Sequence, residues 1–186
     1  RKEPRERYRF FRRLEALAFP TIAAIEGPAV GGGLELALAC DLRVVSRTAR
    51  LGFPEVKLGV MPAAGGTQVL PRLICAARAK ELLFFGDLVD GEAADRLGLV
   101  TRLVDAGRAF EEAHALAERI AKMAPLALVA IKRAVREGLA APTFEAALDL
   151  ESVLAAELRT TDDHKEGVRA FTEKRAPRFR GTRGPT

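Results

Sequence analysis

Glu35 is the one acid in the apolar stretch Leu34 to Cys40, and three consecutive glycines, Gly31 to Gly33, stand directly before that stretch. A second acid, Glu55, follows in Phe53-Pro54-Glu55-Val56, again flanked by apolar residues. Glycines at a strand-to-helix turn leave backbone N–H groups bare at a helix N-terminus, where orphan donors and the helix dipole favour negative charge. Two carboxylates in apolar settings beside such amides have the make-up of a general acid/base pair with an oxyanion stabiliser. Each feature has an ordinary explanation when taken alone. The glycines can be a structural turn, Glu35 a charge partner for the helix N-terminus, and Glu55 a loop acid. Their occurrence together, in this order, points to chemistry.

Other catalytic arrangements fit less well. Ser46 and Ser152 are the only serines, and neither lies in a nucleophile-elbow motif. His114 and His164 fall on separate predicted helices and, with the dispersed Cys40 and Cys75, make no metal-ligand spacing, so no metal is expected. Gly31-Gly32-Gly33 lacks the Gly-x-Gly-x-x-Gly spacing of a dinucleotide fingerprint, and no lysine follows Gly65-Gly66 as in a phosphate-binding loop.

The elements that must position these residues can be read from the apolar pattern. Tyr8, Phe11, Leu14 and Leu17 recur at helical spacing between Pro4 and Ala18, with Pro20 as a stop. Residues 21–25 read as a short buried strand, 27–33 as a glycine-rich turn, 34–40 as a short apolar helix and 42–46 as a second strand. Leu51-Gly52-Phe53 reads as a third extended piece and 59–66 as a second loop, after which Thr67 opens a helix towards Leu73. Further helices are expected over 78–85 and from Asp90 to a stop at Gly98, then a strand over 99–104. Four helices follow, at about 108–123, 126–139, 143–158 and 163–175, punctuated by prolines and Gly138. The expectation is an α/β part over 1–107 and a helical part over 108–186.

The chain has 186 residues, 48% of them apolar and 30% charged, a size and balance that suit a folded domain and not a disordered chain. Apolar runs are too short and too broken by charge for a membrane-spanning helix, and Arg1-Lys2-Glu3-Pro4 has no apolar signal core. Both cysteines sit in apolar stretches, which predicts buried, reduced thiols. The net charge of +5 favours an anionic partner. Arg1, Lys2, Arg5, Arg7, Arg9, Arg12 and Arg13 outweigh Glu3 and Glu6, and Arg175, Arg178, Arg180 and Arg183 crowd the other end. Nucleic acid is not the expected partner, because no RRM or KH motif is present and one tyrosine with no tryptophan leaves few stacking platforms.

The segment from Thr21 to Asp41, TIAAIEGPAVGGGLELALACD, resembles the signature of the enoyl-CoA hydratase/isomerase (crotonase) superfamily. Phe53 to Gln68, FPEVKLGVMPAAGGTQ, resembles its second catalytic segment, and Thr161 to Arg175 its C-terminal helix. The closest flavour is that of the hydratases, including the methylglutaconyl-CoA hydratase branch. The resemblance implies a fold of repeated ββα units followed by a helical C-terminal region that forms trimers, usually paired into hexamers. It also implies that strands N-terminal to Arg1, with a second oxyanion N–H and much of the loop around the CoA adenine, belong to the complete family fold. The compartment it implies is the cytoplasm for a bacterial protein and the mitochondrial matrix for a eukaryotic one.

Roles follow from the resemblance residue by residue. Gly32 matches the N–H that forms half of the oxyanion hole for the thioester oxygen. Glu35 matches the glutamate that activates water for attack at Cβ, and Glu55 the one that gives a proton to Cα. Gly31, Pro62 and Ala63 match substrate-contacting positions, and Phe171 and Lys174 match positions that pack near the CoA adenine and its phosphate from a neighbouring subunit. Ala63 stands where many hydratases have glycine, and it keeps a usable N–H provided its φ is negative. Coenzyme A enters as part of an acyl thioester substrate, and no other cofactor is implied. Retention of both acids favours hydration over isomerisation. Other acyl-CoA activities of the family, an inactive member and an RNA-binding role for the basic segment 1–13 remain the alternatives.

Overall fold

The computed structural model describes residues 4–182. Arg1, Lys2, Glu3 and Arg183 of the two basic ends lie outside the described residues. The chain divides into two compact units, one of residues 1–17 and 21–116, the other of residues 18–20 and 117–186. The sequence reading set the change from α/β to helical at 107/108; the units divide inside a helix, at Leu116.

The first unit is α/β. It begins with α1 (Pro4–Glu15) and continues through β1 (Ile22–Ile25), β2 (Pro28–Val30), α2 (Gly32–Leu38), β3 (Leu42–Ser46) and β4 (Arg50–Gly52). A 3-10 helix over Pro54–Leu58 leads to α3 (Gly66–Leu73) and α4 (Ala76–Phe85), then β5 (Val89–Asp90), α5 (Gly91–Arg96), β6 (Arg102–Val104) and α6 (Ala109–Ala121). Two small sheets result, in the orders β1-β3-β6 and β2-β4-β5. β1 runs parallel to β3 with Ile22 opposite Leu42, and β2 runs parallel to β4 with Pro28 opposite Arg50. Each ββα unit therefore gives its first strand to one sheet and its second to the other. This is the repeated ββα architecture that the family resemblance implies.

β3 shows why this packing is stable. Successive strand side chains point to opposite faces, and both Val44 and Val45 are fully buried. Val45 joins the main core with Leu34, Leu38, Leu51, Phe53 and Leu70. Val44 packs with Ala109, Ala113 and Leu116 of α6. A strand covered on both sides carries adjacent apolar residues instead of a strict alternation, as the pair Val44-Val45 shows within Leu42-Arg43-Val44-Val45-Ser46.

α2 is tied down at both ends. At its C-terminal end, the Asp41 carboxylate accepts hydrogen bonds from the Thr21 N–H (2.7 Å) and hydroxyl (2.9 Å). The buried Arg43 donates from Nη1 to Cys40 O (2.9 Å) and from Nε to Leu99 O (2.8 Å). Burial is the main influence on that guanidinium and lowers its pKa from the usual value.

Several local expectations need correction. α1 stops at Glu15 instead of Ala18; Tyr8 is exposed, and Phe11, Leu14 and, beyond the helix, Leu17 are half-buried. Neither cysteine is in a disulfide, but Cys40 is only half-buried and Cys75 is exposed. Cys75 occupies the N-cap of α4, and its neighbours Ile74 and Ala79 take the core positions. β2 was read as part of a turn and residues 54–58 were given no helix. β6 is shorter than the run 99–104, because Leu99 is buried at the end of α5 and donates its N–H to Ala94 O.

The second unit is helical, with α7 (Pro125–Gly138), α8 (Phe144–Arg159) and α9 (Asp162–Thr172). Thr143 caps α8 by accepting from the Ala146 N–H, and Thr161 caps α9 by accepting from the His164 N–H. The tail then folds back on α9: Asp163 accepts from the N–H groups of Arg180 (2.7 Å) and Gly181 (2.9 Å). Among the described residues, no helix is long and apolar enough to cross a membrane.

Candidate active site

The site is built on the N-terminal turn of α2. Gly31 is the N-cap, with φ +55° and ψ −122°, and its N–H donates to Gly52 O of β4 at 2.9 Å. A positive φ of this kind costs an L-residue energy that glycine avoids. Gly32 and Gly33 follow as the first helical residues and both are exposed. No described group accepts from the Gly32 N–H, and a Cβ built on Gly32 meets nothing within 4 Å. The N–H that the resemblance gives to the oxyanion hole thus has no partner among the described groups, on an exposed residue at a helix start where negative charge is favoured.

Glu35 lies one turn further along, its own N–H donating to Gly31 O at 3.0 Å. It is 6% exposed, and its Oε1 accepts from the N–H groups of Ala64 (2.8 Å) and Gly66 (2.9 Å). Gly66 is the first residue of α3, with Gly65 as N-cap at φ +124°. A buried carboxylate needs such donors, and here a second helix N-terminus supplies them. The sequence showed the glycines of this loop but not that its amides hold Glu35. A glycine pair opening a helix behind a buried acid was the available signal.

Glu55 reaches the same turn from the other side. It sits in the first turn of the 3-10 helix that Phe53 caps. A Cβ placed on Gly31 would lie 2.9 Å from Glu55 Oε1, so that carboxylate rests directly against the N-cap of α2. Glu55 Oε2 is buried and has no hydrogen-bond partner. An unpaired buried carboxylate oxygen is costly and calls for an explanation. A water or substrate atom held there would supply one.

Glu35, Glu55, Gly31 and Gly32 are therefore brought to one turn. Pro62 is buried in the loop that closes over Glu35, while Ala63 next to it is exposed. Among the described residues Lys174 is the only non-glycine with positive φ, so Ala63 meets the condition set for it. Phe171 and Lys174 lie at the end of α9, in the second unit. Phe171 is 87% exposed, and Lys174 holds a left-handed φ of 53°.

Known proteins resemble this chain over almost its whole length. The family model for enoyl-CoA hydratase/isomerase matches residues 3–182. The probable enoyl-CoA hydratase 2, mitochondrial, of Arabidopsis thaliana is 46% identical over 168 residues, which cover 90% of this chain and 56% of that protein. The mitochondrial methylglutaconyl-CoA hydratase of Rattus norvegicus is 42% identical, covering 89% of this chain and 53% of that protein. A crystal structure of enoyl-CoA hydratase from Bacillus anthracis superposes with a TM-score of 0.93 at 39% identity, covering 96% of this chain and 69% of that one. The chain spans little more than half the length of those two curated relatives. A match of this extent places the chain in the enoyl-CoA hydratase/isomerase family.

Proposed function

We propose that the chain carries the acid/base machinery of a 2-enoyl-CoA hydratase, which adds water across the C2–C3 double bond of a trans-enoyl thioester to give a 3-hydroxyacyl-CoA. The observation that carries the reading is the convergence of Glu35 and Glu55 on the turn that presents the Gly32 N–H.

In this mechanism Glu35 takes a proton from water as its oxygen bonds to Cβ. Its Oε1 stays fixed on the Ala64 and Gly66 amides while Oε2 does the work. The electrons of the double bond move onto the thioester oxygen, where the Gly32 N–H stabilises the developing charge. Removing one such donor costs roughly 3 kcal/mol in comparable sites. Glu55 then delivers a proton to Cα, and its unpartnered Oε2 is the natural atom for the exchange. Transfer of the proton from Glu35 back to Glu55 restores the starting state.

The names of relatives support hydration as the reaction class, since they include a short-chain-enoyl-CoA hydratase and an (E)-benzylidenesuccinyl-CoA hydratase. One is named an enoyl-CoA isomerase/hydratase. The test is a panel of acyl-CoA thioesters offered to the purified protein, with loss of the conjugated absorbance as readout. Hydration of crotonyl-CoA or a longer 2-enoyl-CoA is expected; migration of the double bond without hydration would replace the proposal with an isomerase.

We also propose that the protein self-associates as a trimer or a dimer of trimers. The second unit leaves Ile131, Val135, Leu139, Phe144 and Val153 exposed, more apolar surface than a helical unit gains by showing to water. The active partner is an acyl-CoA thioester, whose phosphates suit the basic excess.

A further inference from the structure

Phe53 is fully buried, and its place in the core is unusual because it reaches both arms of the site. A Cβ on Gly66 would lie 2.9 Å from Phe53 Cε1 and 3.1 Å from Cζ, so the tip of the ring bears on Gly66. The Gly66 N–H is one of the two donors that hold Glu35 Oε1. The main chain of Phe53 meanwhile caps the 3-10 helix that carries Glu55 two residues later. That helix is wedged from behind at Gly86, where a Cβ would lie 2.9 Å from Val56 Cγ1, 3.1 Å from Pro54 Cα and 3.3 Å from Phe53 O. Gly86 is the C-cap of α4, so the 3-10 turn is packed closely between α4 on one side and, through the Phe53 ring, Gly66 on the other.

We infer that Phe53 is a positioning residue whose rigid ring sets the spacing between the amide clamp on Glu35 and the turn that carries Glu55. The inference rests on the hydratase reading, in which both carboxylates must meet one double bond. Close-packed interiors transmit small displacements, and a misplacement of about 1 Å can cost on the order of 100-fold in rate. Any large apolar side chain would fill the core. Only one whose tip ends at the ring edge holds the clamp in place.

Two substitutions probe the spacing from opposite directions. Phe53→Leu withdraws the ring tip, and Phe53→Tyr pushes a hydroxyl towards Gly66. Leu99→Ala, in the same core, serves as the control for lost stability alone. Both Phe53 variants should lower kcat on crotonyl-CoA by roughly tenfold or more while KM stays within about threefold. The control should keep kcat at a comparable fall in Tm. A second readout does not depend on turnover: amide hydrogen exchange at Ala64 and Gly66 should quicken by about tenfold in Phe53→Leu relative to the control. Wild-type kcat in both Phe53 variants, or unchanged exchange at those amides, overturns the inference. A wild-type protein that hydrates no enoyl thioester overturns the hydratase reading instead, and the exchange measurement still decides whether Phe53 holds the clamp.

Discussion

Gly31 and Glu35 carry the most specific residue-level consequences. Alanine at Gly31 would meet two penalties at once, a φ of +55° and a Cβ 2.9 Å from Glu55 Oε1. Gly31→Ala is therefore expected to destabilise the fold by about 1–3 kcal/mol and to lower turnover by more than that loss explains. Comparing Tm with kcat separates the two effects. Glu35→Gln keeps an oxygen that can accept from Ala64 and Gly66 but cannot take a proton from water. Its Tm should stay near wild type while kcat falls by roughly 100-fold or more. The sequence made both acids legible, because an isolated carboxylate in an apolar stretch needs a reason to be there. It did not show the amides of Ala64 and Gly66 as partners, because backbone donors carry no residue signature and the contact joins segments about thirty residues apart.

At the level of elements, the longer helices and β3 could be read from periodicity and caps, as with Asp90 before α5 and the glycine at 98 after it. β2 and β5 could not. They have three and two residues, too short for an alternating pattern, and β2 opens on a proline. The return of the tail onto α9 was equally hidden, since it depends on which acids face the chain as it doubles back. Glu166 accepts from Arg175 and Arg169 side chains and from the Arg178 N–H. These contacts, with Arg175 foremost, hold its carboxyl far below the usual carboxylate range. A lowered folded-state pKa means that the contact is fully present above the ordinary value of 4.5 and is lost as pH falls from there through the lowered value. Limited proteolysis of residues 175–182 should accelerate on acidification through that window, and Glu166→Gln should flatten the dependence. An identical acid response in the variant would place the control elsewhere.

For the whole molecule, composition alone excluded a disordered chain, and the order of strands and helices gave the α/β class with a helical region after it. The division between units was harder to read. α6 looks like the first helix of the helical region, yet Ala109, Ala113 and Leu116 bury themselves against Val44 of the sheet, and only the end of the helix joins the second unit. Small alanine faces give little warning of which partner they will choose. If the protein self-associates as proposed, light scattering coupled to size-exclusion chromatography should give a mass that is a multiple of three chains. A stable monomer at micromolar concentration would contradict that part of the proposal.

The central claim is that Glu35 and Glu55 act on one substrate at the turn where Gly32 offers its N–H. Its most direct test is the turnover number for crotonyl-CoA hydration in Glu55→Gln, beside the wild-type protein and with the fold checked by Tm. A fall of roughly 100- to 10,000-fold at unchanged Tm is the predicted result. Turnover equal to wild type in that variant would contradict the account.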